Sequence, residues 1–148
     1  MAYHYKLETL LAVRRNFEEQ AKQRLARELF VLENHQRHLR ELVERRLTLC
    51  AAFEERQQQT ISAALFGFYV EAIHLKNREI AFQNQAVLAQ QGIIEGARAE
   101  LLAKVRARQV VERLKEKDFF RWRQEVARKE QAEGDEQAMM RFGREERR

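Results

Sequence analysis

Apolar side chains recur along this chain with a helical rather than a strand period. Between Tyr5 and Arg56, Leu25, Leu32, Leu39, Arg46 and Phe53 fall every seven residues, and Leu29, Gln36, Val43 and Cys50 form a second such row. That repeat is the roughly 3.5-residue period of a coiled-coil seam. After the polar stretch Gln57-Gln-Gln-Thr-Ile-Ser62 the same spacing resumes in a new phase, through Phe66, Ile73, Ile80, Val87, Ile94 and Leu101. The phase change predicts a first helix over about 3–56, a bend at about 57–62 and a second helix over about 63–133, with Thr60 or Ser62 as the N-cap of the second.

Two striped helices on a short connector bury their stripes against each other and run antiparallel. Paired positions then sum to about 122, which sets Leu49 by Ile73, Leu42 by Ile80 and Ala21 by Leu101, and also His35 by Val87 and Glu28 by Ile94. The expected fold is all-α, a single long antiparallel two-helix coiled-coil hairpin over 1–148. Residues 122–148 find no partner in helix 1, so helix 2 overhangs, and a tail over about 134–148 is expected to fray.

Composition sharpens the picture by exclusion. The 148 residues hold no proline and five glycines, and Thr9, Thr48, Thr60 and Ser62 are the whole complement of Ser and Thr. Sheets and loop-built pockets need many more turn residues than this. Apolar residues make up 45% of the chain and are periodic, which disfavours disorder. The N-terminal Met1-Ala-Tyr-His-Tyr-Lys6 lacks the apolar core of a signal peptide, and no run of about 18 uncharged apolar residues occurs. The single cysteine agrees with a reducing compartment, so a cytoplasmic protein is expected.

Few residues suggest chemistry. His35 and His38 lie one turn apart, but a zinc site needs more ligands than they supply. Cys50 falls in an apolar row, without the shaped pocket a catalytic thiol needs. No phosphate loop, dinucleotide fingerprint or nucleophile elbow is present, so neither enzymatic activity nor any cofactor or metal is expected. Gly92 and Gly96 mark either a close helix approach or a soft point, and each costs about 1 kcal/mol relative to alanine.

Charge is uneven. The net charge is +5. Over residues 104–129 the basic Lys104, Arg106, Arg108, Arg113, Lys115, Lys117, Arg121, Arg123, Arg128 and Lys129 face only Glu112, Glu116, Asp118 and Glu125. With Phe119, Phe120 and Trp122 among them, that segment suits base stacking and phosphate contact, or else a solvated face whose aromatics close over Tyr3 and Tyr5. The basic excess also suits an acidic protein partner.

The start Tyr5-Lys-Leu-Glu-Thr-Leu-Leu-Ala-Val-Arg14, the segment Phe66-Gly-Phe-Tyr69 just past the bend and Asp135-Glu136 in a basic, Gln- and Arg-rich tail together resemble the FliJ family of flagellar export proteins. The resemblance covers essentially the whole chain and extends to the YscO-like stalk proteins of injectisomes. It implies a fold similar to the coiled coil of the rotary ATPase γ subunit. It further implies a central stalk that binds and stimulates the hexameric flagellar export ATPase and couples it to the cytoplasmic domain of the membrane export gate. Such a stalk also helps recycle export chaperones, at the cytoplasmic face of the membrane at the flagellar base. Carried onto this chain, the ATPase contacts would be Leu7, Leu10, Leu11, Arg14, Arg15, Arg121, Asp135, Glu136 and Met139, and the gate contacts Ala72, Lys76, Glu79 and Gln83, read as the face away from Phe66, Ile73 and Ile80. The free protein is expected to be a monomer that binds no nucleic acid. An injectisome stalk and a basic coiled-coil nucleic-acid binder are the alternative readings.

Overall fold

A computed structural model describes residues 2–147. Two helices account for nearly all of them, α1 over Glu8–Gln57 and α2 over Ala63–Glu145, and they pack on each other as an antiparallel hairpin. At α1's end, Glu55 and Arg56 carbonyls accept the Gln58 and Gln59 amides at 3.3 and 3.1 Å, a tight last turn. Ser62 then caps α2, its Oγ accepting the Leu65 amide at 3.1 Å. Among the described residues no peptide is cis and no residue has positive φ. Chain contacts divide the hairpin into two compact units, residues 20–102 and residues 1–19 with 103–148.

In the bend-containing unit Gln36, Val43, Cys50 and Ala52 are half-buried flanks of α1, and its seam positions are Ala21, Leu25, Glu28, Leu32, His35, Leu39, Leu42, Arg46, Leu49 and Phe53. They alternate steps of four and three, the pattern of a two-stranded seam. Those of α2 follow the same rule through Tyr69, Ile73, Lys76, Ile80, Gln83, Val87, Gln90, Ile94, Ala97 and Leu101. The apolar rows through Leu25 and Ile73 are those the sequence pattern gives. Their companion rows differ: the second α1 row runs through Glu28, His35, Leu42 and Leu49, whereas of the expected row Gln36, Val43 and Cys50 are half-buried beside it and Leu29 is exposed.

The polar members of the seam satisfy one another. Gln83 and Gln90 are each 6% exposed. Gln83 Nε2 donates to the His35 carbonyl and lies against His35 Nδ1, both at 3.0 Å. Two turns on, Gln90 Nε2 donates to the Glu28 carbonyl at 3.0 Å and to Glu28 Oε2 at 2.5 Å. His35 and Glu28 therefore meet glutamines one turn short of Val87 and Ile94, the partners expected from the bend position. A long amide buried beside an unpaired acceptor costs less than an apolar side chain that leaves that acceptor dry. Near the bend Phe53 stacks on Tyr69 at 5.2 Å and meets Phe66 at 5.4 Å.

In the other unit α2 continues to Glu145, past the end expected at about 133. No proline interrupts it, and Gly134 keeps helical backbone. The start of α1 also differs from expectation. Residues 2–5 are not helical, and the Tyr3 and Tyr5 hydroxyls bond across to α2.

Two outcomes follow for stability. Replacing Ser62 with alanine leaves the Leu65 amide uncapped and should lower stability by about 1 kcal/mol in urea melts. A Cβ built on Gly92 meets nothing within 4 Å. Gly92→Ala should therefore raise stability by up to about 1 kcal/mol in the same assay.

Candidate interaction sites

In the unit that contains both termini, a latch holds the N-terminal segment on α2. The Tyr5 hydroxyl donates to the Val111 carbonyl at 3.1 Å, and Tyr5, Leu11 and Val111 form a buried cluster with Tyr3 packed on it. Tyr3 donates to Asp118 Oδ2 at 3.1 Å, and its ring meets Phe119 and Trp122 at 5.0 and 5.4 Å. These aromatics close over the N-terminal tyrosines, the second of the two readings that the sequence allowed. Phe120 alone of that group points outward, 63% exposed.

Charge reinforces the latch. Arg108 pairs with Glu18 and, at 2.6 Å, with Glu112; Arg15 reaches Glu112 at 3.4 Å. Lys115 pairs with Glu8 at 2.8 Å and sits over the Tyr5 ring, while Lys104 sits over Phe17 at 5.1 Å. The hydrogen bond from Arg108 holds the Glu112 carboxyl below its usual range against the cost of partial burial, with Arg15 adding to the effect. Three cations of the basic segment are thus spent within the fold. Arg106, Arg113, Lys117, Arg121, Arg123, Arg128 and Lys129 remain on exposed positions.

The sequence-derived ATPase contacts separate into two groups. Arg121 is exposed, and Asp135, Glu136 and Met139, the last at 76%, lie on a stretch of α2 where every residue from Ala127 to Glu145 is exposed. Leu7, Leu10 and Arg15 are also exposed. Leu11 is fully buried against Tyr5 and Val111, so it closes the core and is not a contact surface. Arg14 lies half-buried in the seam with its Nε enclosed.

The sequence-derived gate row is corrected by the structure. Ala72, Lys76 and Glu79 are half-buried and Gln83 is buried on His35, so these four do not form an outward face. Lys76 follows Ile73 by three residues and Gln83 follows Ile80 by three, which places them beside the isoleucines on the seam. What the bend-proximal surface offers instead is an open groove of about 670 Å³. Leu49, Ala52, Phe68 and Tyr69 floor it, and Glu41, Glu44, Arg45 and Lys76 lie on its rim. The groove was not visible in the sequence, because it joins positions far apart in the chain. Of the latch, the closure of the aromatics over Tyr3 and Tyr5 was legible, whereas the hydroxyl bonds to Val111 and Asp118 were not.

Among the described residues, no group of three or more His, Cys, Asp or Glu could hold a metal ion, and no helix is long and apolar enough to cross a membrane. A family model described as Flagellar FliJ protein matches residues 3–147. Among solved structures, that of a putative YscO homolog from Chlamydia trachomatis shares the fold with a TM-score of 0.77 at 19% identity, over 99% of both chains. No curated protein sequence matches.

The latch has a pH signature. Burial, with the Asp118 hydrogen bond and charge added, pushes the Tyr3 hydroxyl up to about 12 from 10.0. Folding therefore favours the neutral hydroxyl. Its contribution is complete below about pH 10 and is lost as pH rises towards about 12. Thermal melts across that interval should fall more steeply for the native protein than for Tyr3→Phe, and parallel curves would show that Tyr3 does not carry the effect.

Proposed function

This chain belongs to the FliJ family of flagellar type III export components, and on that premise we propose that it is a non-catalytic central stalk of the export apparatus. It binds and stimulates the hexameric export ATPase through the unit that contains both termini. It contacts the cytoplasmic domain of the membrane export gate through the bend-proximal groove, and it assists the recycling of export chaperones. The protein works in the cytoplasm, peripherally associated with the membrane at the flagellar base.

One observation carries this reading: a helical end of α2, from Ala127 to Glu145, is exposed on every side. Helices in proteins draw most of their stability from a packed face, and this stretch has no intramolecular cover to supply one. A ring pore encloses such a helix all round. The latch supports the same role, since Tyr3, Tyr5, Glu8 and Glu18 tie the N-terminal segment to α2 close to that end. Fixing the N-terminal segment to α2 resists their sliding when the ring pushes on one of them. Arg121, Asp135, Glu136 and Met139 are the contacts this reading keeps, together with Leu7, Leu10 and Arg15; Leu11 is withdrawn from the set.

The flagellar version is favoured over the injectisome version by the family match. The YscO-like neighbour is 19% identical and supports the fold.

The test is ATP turnover and ring assembly by the purified cognate ATPase. Native protein should raise both. Arg121→Glu combined with Met139→Glu should reduce the stimulation at least tenfold, while Phe68→Glu in the groove should leave it unchanged. A native protein that alters neither turnover nor assembly overturns the proposal.

A further inference from the structure

In the bend-containing unit, α2 carries a second apolar stripe that faces away from α1. Leu75 and Phe82 stand on it at 47% and 75% exposed, seven residues apart. The stripe continues through Ala89, Gly92, Gly96 and Ala99, all exposed and spaced three, four and three. Half of this face is large and half is small. The glycines have no role in the hairpin itself, because an added Cβ at either meets nothing within 4 Å. Each still costs its helix about 1 kcal/mol.

We propose that this face of α2 binds a second copy of the same chain, antiparallel, about a two-fold axis near Val87. The face is its own complement only in that direction. In the register that sets Phe82 over Gly92 of the second copy, Leu75 meets its Ala99 and the Arg78 stem crosses its Gly96. Two-fold symmetry repeats each contact. Parallel pairing would stack Phe82 on Phe82 and glycine on glycine, crowding one half and leaving the other hollow. Charge agrees with the antiparallel choice: the same register brings Arg78 beside Glu95 of the second copy, and both are exposed and unpaired within the chain. Beside the axis Leu88, 66% exposed, meets its own copy.

The overlapping stretch from Leu75 to Ala99 is about 37 Å long at 1.5 Å per residue and buries on the order of 1,000 Å². That is the lower end of specific interfaces, so the association is reversible and micromolar. It departs from the monomer expected of a self-contained hairpin. Because it engages neither the latch nor the bend-proximal groove, it stands apart from the stalk reading.

Sedimentation equilibrium of the full chain from about 1 to about 200 µM tests it. The native protein should move from 17.7 kDa towards twice that mass. Gly92→Leu with Gly96→Leu should weaken the dimer at least tenfold while helix content and melting temperature hold or rise, since nothing in the monomer opposes the new side chains. Arg78→Glu and Glu95→Arg should each weaken it several-fold, and the double exchange should restore it. All these variants should still stimulate the ATPase if the stalk reading holds. A single 17.7 kDa species at every concentration, or a dimer indifferent to the leucines, overturns the proposal.

Discussion

A two-helix hairpin has one seam, and no third layer is present to cover whatever that seam fails to bury. Each helix can hide one stripe of side chains, and any polar group caught on that stripe has to find its partner on the single facing helix. The bend-containing unit meets the condition with two glutamines. Gln83 and Gln90 fill two successive layers that apolar residues would otherwise occupy, and each reaches both the main chain and the side chain of α1. Such layers contribute less to stability than leucine would, but they penalise any sliding of one helix past the other, since a slipped register leaves four polar groups buried and unmatched.

In the unit with the termini the same requirement is met with charge. Glu18 is 7% exposed and occupies the seam row between Leu11 and Leu25, where it meets Arg108. Arg108 in turn shares Glu112 with Arg15. A buried pair of this kind is weak as a source of stability and strong as a constraint, because either member alone would be stranded. The segment's excess of basic residues therefore splits into cations that build the fold and cations left on its surface.

The seven-residue rows through Leu25 and Ile73 were legible because they are almost wholly apolar. Their companion rows were not, since Glu28, His35, Lys76, Gln83 and Gln90 break the apolar signal at the positions where the seam continues. That gap explains how Lys76 and Gln83 were read as outward-facing when a step of three from an isoleucine keeps a side chain on the same side. The overhanging end of α2 followed from counting residues on either side of the bend. Its persistence as helix to Glu145 did not, because helix propensity that far from any partner competes with fraying and the sequence alone does not say which prevails. Cys50 and the His35–His38 pair attracted notice as chemistry-bearing types, and the structure gives them ordinary places: Cys50 is half-buried, His35 rests on Gln83, and His38 lies 3.9 Å from Glu41.

At Tyr5, and in part at Tyr3, the tyrosine latch reads α2 through its peptide groups. Tyr5 binds the carbonyl of Val111, and the Tyr3 hydroxyl also lies 3.4 Å from that of Lys115. A carbonyl is offered by every residue type, so the opposing positions can drift over generations without loosening the contact, and no pair of columns in a family would need to change together. Two tyrosines persisting beside a helix of shifting composition would be the only mark such a contact leaves.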